Sequence, residues 1–170
     1  QHEAYYVPAF FSEETRPVTL PKHENQISLL EHSETAKNPT NWKKNKELVR
    51  ILRALQPILE SDRIKKIGQN IKYDMLVMSN YEIEIRGIEF DTMIASYLLR
   101  PGGRQHNIDD MAEHYLSYRK IATHELIGTG KNQVTMDQVD VEKVTTYACE
   151  DADVAFQLKE ILEPELKKVG

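Results

Sequence analysis

One cysteine, Cys149, stands in the whole sequence, so no disulfide can form within the chain, and a reducing, cytoplasmic setting is expected. Long apolar runs are missing too. The segment Met93 to Leu99, interrupted by Ser96, falls far short of the roughly 20 residues that cross a bilayer, so no membrane span is expected. The opening residues, Gln1-His2-Glu3-Ala4-Tyr5-Tyr6, lack the basic cluster and apolar stretch of a secretion signal. Positive charge is not in excess either: 22 Lys and Arg face 27 Asp and Glu, a formal net charge of −5. That balance argues against a protein that grips nucleic acid by blanket phosphate neutralisation, which leaves a basic patch. It does not argue against a carboxylate site that meets phosphate through divalent cations, because the ions invert the local field. The six histidines show no zinc spacing, and Cys149 has no neighbouring base that would make it a nucleophile.

What is present suits one domain. A chain of 170 residues with 40% hydrophobic content can bury one real core, so residues 1–170 are read as a single unit. Ala4-Tyr5-Tyr6-Val7 reads as a strand ended by Pro8, and the start at Gln1 reads as a cut. Residues 11–40 form a long polar connection with little apolar periodicity. Beyond Trp42, the expected anchor of the next helix, Leu48, Ile51, Leu52, Leu55, Ile58 and Leu59 recur at helical spacing, with Pro57 kinking or shortening that helix. Ile64 to Gly68 reads as a strand entering a helix through Tyr73, Leu76 and Val77; Ile83, Ile85, Ile88 and Phe90 suggest a second strand region broken at Gly87. Asp91 or Thr92 is expected to cap a helix that stops at Pro101-Gly102-Gly103. A further helix runs through Ile108, Met111, Ala112, Tyr115 and Leu116, and Gly128 to Asn132 is a loop. Asp140 is expected to cap a last helix with the stripe Val141, Val144, Ala148, Ala152, Ala155, Leu158 and Leu162. Strand and helix alternate in the middle, which favours an α/β layered domain.

Two short constellations carry the chemistry. Asn70-Ile71-Lys72-Tyr73-Asp74 sits where a strand gives way to a helix, and Tyr147-Ala148-Cys149-Glu150-Asp151 places a phenol and a carboxylate four residues apart on one helical face. Phosphodiester hydrolysis needs an activated water, stabilised charge on phosphorus and help for the leaving oxygen, and two Mg²⁺ or Mn²⁺ ions can serve all three. Such ions prefer oxygen ligands, and a tyrosine can orient water without ionising. Glu150 and Asp153 flank Asp151 but turn about 100° or more away from it, so they are read as structural or solvent-facing. Lys131, in its Gly-bounded loop, is read as solvated.

Asn70-x-x-Tyr73-Asp74 resembles the second motif, and Tyr147-x-x-x-Asp151 the third, of the exonuclease superfamily named for its four acidic residues. Lys66 to Asp74, Gly87 to Met93, Gly130-Lys131-Asn132-Gln133 and Tyr147 to Asp153 stand in the order seen in the proofreading domain of bacterial family-A DNA polymerases, the polymerase I type; the similarity covers about residues 42–166. The resemblance implies a ribonuclease-H-like fold, a mixed sheet flanked by helices, with its N-terminal strands missing here. It implies a 3′→5′ exonuclease that removes 3′-terminal nucleotides of DNA with two Mg²⁺ or Mn²⁺ ions. By it, Asp74 and Asp151 are metal carboxylates that converge on shared cations, Tyr147 holds the nucleophilic water, and Gln69, Asn70, Tyr73 and Arg104 lie near the terminal nucleotides. A single-stranded 3′ end of DNA is the implied partner, with an adjoining polymerase domain near Leu162-Glu163-Pro164-Glu165-Leu166, and a monomer is expected.

Two departures from the family bear on this. Its first motif, Asp-x-Glu on the first strand, belongs upstream of Ala4, so the site is half built and little activity is expected of this chain alone. Gln105 separates Arg104 from His106, whereas relatives often place Arg directly before that His. Two other readings stay open: a nuclease-dead structural module of a family-A polymerase, and an RNA-trimming exonuclease of the ribonuclease D kind, which shares the segment Phe90-Asp91-Thr92. The Gly130-Lys131-Asn132-Gln133 block favours the polymerase branch over the latter.

Overall fold

The computed structural model describes residues 42–103 and 105–169; the expected strand at Ala4 to Val7, the polar connection 11–40 and Arg104 lie outside the described residues. The chain divides into two compact units, and among the described residues the division falls between Ile64 and Lys65, between Tyr73 and Asp74, and between Gly87 and Ile88.

One unit holds the described residues 42–64 together with 74–87. A 3₁₀ turn at Trp42–Lys44 leads into α1 (Lys46–Leu59), whose N-cap Asn45 accepts a hydrogen bond from Leu48 N at 3.0 Å. Pro57 lies in the last turn, where its missing N–H leaves the carbonyl of Arg53 without the usual helical partner, and the helix ends two residues later. Leu48 and Leu52 pack with Tyr81 and Ile83, and Trp42 meets Tyr81 edge-on at 5.5 Å, so the tryptophan does anchor the helix it precedes. The expected strand from Ile83 onward is absent before Ile88. Its backbone groups turn elsewhere: Ile83 N donates to Met78 O and Arg86 N to Leu59 O, while Glu82 and Gly87 take positive φ values of 62° and 68°. At Gly87 a side chain has no room, since a Cβ would stand 2.7 Å from Ser61 O and 2.8 Å from Ile64 O.

The other unit holds residues 65–73 and 88–169 of those described. Strand β1 (Lys66–Gly68) pairs in parallel with β2 (Ile88–Asp91), Gly68 opposite Asp91. Each strand runs directly into a helix, β1 into α2 (Ile71–Ser79, of which Ile71 to Tyr73 belong here) and β2 into α3 (Thr92–Leu99). Then come α4 (Ile108–Leu116), α5 (Thr123–Ile127), two 3₁₀ turns at Gly130–Asn132 and Met136–Gln138, and α6 (Val141–Val169). Asp140 caps α6 as expected, accepting from Glu142 N at 3.0 Å. Helices α3 and α4 pack on α6 around Ala95, Met111, Ala112, Val154, Leu158 and Leu162. Each buried leucine of that set contributes on the order of 2 kcal/mol over its exposed state. The expected stripe on α6 needs one correction: Val144, Ala155, Leu158 and Leu162 are buried, but Val141 and Ala152 face solvent and Val154 takes a core place. The fold is α/β, mostly helical, with a two-stranded parallel sheet among the described residues, and it is consistent with a ribonuclease-H-like arrangement.

Candidate active site

Two corners of the unit built on β1 and β2 hold most of the residues singled out by the sequence. The first lies where β1 and β2 end side by side. Parallel pairing brings the starts of α2 and α3 together, and the orphan N–H groups of both helices need acceptors there. Asp91 supplies both its oxygens: Oδ1 accepts from Asn70 N (3.2 Å), Met93 N (2.9 Å) and Ile94 N (3.2 Å), and Oδ2 from Ile71 N (2.8 Å). The expected cap is therefore present, and it closes two helices rather than one. Gln69, beside it, is engaged at both ends of its amide, Nε2 donating to His106 O at 2.8 Å and Oε1 accepting from the Thr92 hydroxyl. Buried His106 places Nδ1 2.8 Å from Ser96 Oγ and stacks on Tyr97. Asn70 adopts φ 57°, and its side-chain Oδ1 is buried without a hydrogen-bond partner among the described residues. Tyr73 is half-buried on the first turn of α2. Asp74 is exposed on that same turn and belongs to the other compact unit.

The second corner is formed by α4, the segment 118–123 and α6. Glu150 fixes the segment: Tyr118 donates its hydroxyl at 2.5 Å and Ile121 its backbone N–H at 2.7 Å to that carboxylate. Glu150 is thus structural, in keeping with its position one residue off the Tyr147–Asp151 face. The anchored segment drives the Lys120 side chain inward until only 1% of it is exposed. Its Nζ lies 2.8 Å from Asp109 Oδ1, 2.8 Å from Asp151 Oδ1, and donates to Ile121 O at 2.8 Å. The same ammonium stands 4.6 Å from the centre of the Tyr147 ring, while the Tyr147 hydroxyl is 3.0 Å from Thr123 Oγ1. Tyr147 and Asp151 therefore share one face, as the i, i+4 spacing demands. Asp151 Oδ1 is buried and has no aligned hydrogen bond, so the Lys120 charge is its partner.

Burial pushes the Asp151 carboxyl above the ordinary aspartate range, and the nearby Lys120 only partly offsets it. Burial likewise raises the Tyr147 phenol, so it is protonated at neutral pH. For Lys120, burial pulls the pKa down, but Asp109 and Asp151 together outweigh it and leave the ammonium firmly charged. Lys120, Asp109 and Thr123 carry no signal in the sequence, because helical spacing links none of them to Asp151 and only packing brings them there.

A parallel strand pair feeding two helices, with a phenol and a carboxylate one turn apart on a long final helix, is an α/β arrangement consistent with the ribonuclease-H-like class. Residues 9–167 match the family described as 3′-5′ exonuclease. The chain belongs to that family, the 3′-5′ exonuclease domain of family-A DNA polymerases. It is 40% identical over 116 residues to DNA polymerase I of Rhizobium leguminosarum, a match covering 68% of this chain and 11% of that protein. With DNA polymerase I of Pseudomonas aeruginosa it shares 39% identity over 121 residues, 70% of this chain and 13% of the relative. Among solved structures, the POL domain of Pol1 from M. smegmatis, in complex with DNA primer-template and dNTP, is similar at TM-score 0.55 and 23% identity, covering 69% of this chain and 17% of that one; this is a likeness of fold. The chain spans roughly a tenth of the length of the curated relatives it matches.

Proposed function

We propose that this chain is the proofreading exonuclease domain of a protein of the DNA polymerase I type, hydrolysing 3′-terminal nucleotides from a single-stranded DNA end. Asp74 and Asp151 are the carboxylates assigned to metal, Tyr147 the residue that positions water, and Gln69, Asn70, Tyr73 and Arg104 those nearest the terminal nucleotides. The observation that carries the reading is the pairing of Tyr147 and Asp151 around one buried positive charge.

The donor chemistry suits a hard cation. Asp151 is a carboxylate 30% exposed and partly desolvated, and desolvation makes a neighbouring positive charge favourable. Among the described residues no three His, Cys, Asp or Glu gather into a ligand group, so Asp151 needs the family's further acidic residues to complete a site. Two Mg²⁺ or Mn²⁺ ions there would stabilise the attacking and leaving oxygens of an in-line displacement. The chain's own contribution is positional. Thr123 fixes the Tyr147 hydroxyl, and the protonated phenol can donate to or accept from a water beside Asp151. The exposed part of Asp151 is what a metal would meet, while its buried Oδ1 faces Lys120.

A longer chain carrying the upstream Asp-x-Glu motif should degrade single-stranded DNA from its 3′ end with Mg²⁺ or Mn²⁺, and the 170-residue chain should show little or no turnover. Normal turnover by the short chain, or equal loss of matched RNA ends, speaks against this reading. One observation favours a second: an ammonium that already neutralises Asp151 also suits a nuclease-dead structural domain. An inactive longer chain with an intact first motif would support that alternative. We further propose a cytoplasmic monomer joined to a polymerase domain, in which residues 1–170 act as one exonuclease domain.

A further inference from the structure

Among the described residues, Lys120 is the only lysine or arginine held almost wholly out of water. Removing an ammonium from solvent is costly, and a lysine serving the fold alone could be replaced by an apolar side chain of similar volume with little loss. The surroundings of Lys120 are more specific than that role requires. Two carboxylates, Asp109 on α4 and Asp151 on α6, approach it at the same 2.8 Å, and Tyr147 offers its ring face. Asp109 is itself 48% exposed and lies outside the family motifs. One cation therefore bridges a carboxylate assigned to metal and a carboxylate that is not.

We propose that Lys120 is a built-in counter-cation of the site, a positioning residue that holds Asp151 and Tyr147 in place and competes with a divalent metal for Asp151. Asp109 is the carboxylate that Lys120 keeps when Asp151 engages the metal. The inference rests on the nuclease reading of Asp151. Its physical basis is Coulomb repulsion: a positive charge within hydrogen-bond distance of a partly desolvated carboxylate weakens binding of a second cation there by about tenfold or more. Opposite effects are expected for the two partners. Losing the ammonium tightens metal binding, whereas losing Asp109 leaves Lys120 to Asp151 alone and weakens it.

The test uses a longer chain that carries the upstream Asp-x-Glu motif, with Mn²⁺ alone as probe, binding measured by electron paramagnetic resonance and folding by calorimetry. Lys120→Met is expected to bind Mn²⁺ about tenfold tighter than wild type, Lys120→Arg to match wild type, and Asp109→Asn to bind a few-fold more weakly. A purely structural Lys120 would shift melting temperatures while leaving these affinities unchanged; that result, or weaker binding in folded Lys120→Met, overturns the proposal. If Lys120→Met does not fold, Asp109→Asn decides, since unchanged or tighter binding overturns it. Failure of the underlying reading looks different: Mn²⁺ binding that survives intact in Asp151→Asn means the ion is not at Asp151, and both fall. No Mn²⁺ binding in either wild type or Lys120→Met overturns the proposal as well.

Discussion

Asp91, buried, and Asp151, partly so, stand at corners of the same compact unit, yet they are satisfied in opposite ways. Asp91 accepts four backbone N–H groups fixed by the ends of two strands and the starts of two helices. Asp151 faces the tip of a lysine side chain, leaves Oδ1 without an aligned hydrogen bond, and has its carboxyl pushed up by burial. Backbone donors cannot be exchanged for a ligand without unravelling a helix, whereas an ammonium can be. The first arrangement is what stability asks of a buried carboxylate, and the second is what a site asks.

The contrast can be broken by substitution. The largest effect is expected for Asp151→Asn in a longer chain with the first motif: exonuclease turnover falls by about a thousandfold or more, about 4 kcal/mol at the transition state. Stability there changes by only about 1 kcal/mol, because Lys120 retains Asp109 and Ile121 O. Asp91→Ala should do the reverse. It strips the acceptor from four N–H groups and should lower unfolding free energy by about 3 kcal/mol in denaturant titration, with turnover per folded molecule little altered. A dead but stable Asp91→Ala would erase the distinction between the two corners. Tyr147→Phe sharpens it, since the ring stays over Lys120 while the hydroxyl goes; turnover is expected to drop by about 10- to 100-fold with an unchanged melting temperature.

The smallest effect lies outside both corners and serves as a control. The Glu84 N–H, then Gln56 and the charge of Arg86, hold the Glu60 carboxyl below the usual glutamate range. Its folded pKa is thus below its unfolded one, so the stabilisation is fully present above the usual glutamate pKa and is lost as pH falls through the depressed value. In Glu60→Gln the melting temperature should therefore fall less steeply between pH 5 and about pH 3 than in wild type. A parallel fall in both proteins would show that Glu60 contributes nothing to acid sensitivity.

Much of this was legible in the chain. Helical periodicity located α1 and α6, and the capping roles of Asp91 and Asp140 came from residue type and place. The strand expected from Ile83 to Phe90 was half right. Alternating isoleucines look the same whether they pair in a sheet or pack singly, and it is the positive φ values at Glu82 and Gly87 that decide between them. At the candidate site, Tyr147 and Asp151 could be paired from their spacing, because a helix fixes neighbours four apart. Lys120 could not, since it reaches Asp151 only after Glu150 pins the segment around it. Gln69, placed near the terminal nucleotides by the family resemblance rather than by spacing, has both ends of its amide engaged within the fold.

One carboxylate closing the entrances of both α2 and α3 has a dynamic consequence. Neither helix can fray from its first turn without unlatching the other, so the amide protons of Asn70, Ile71, Met93 and Ile94 should exchange with solvent through a single shared opening event. The junction between strands and helices then behaves as one hinge pin, and local melting on one side is reported on the other.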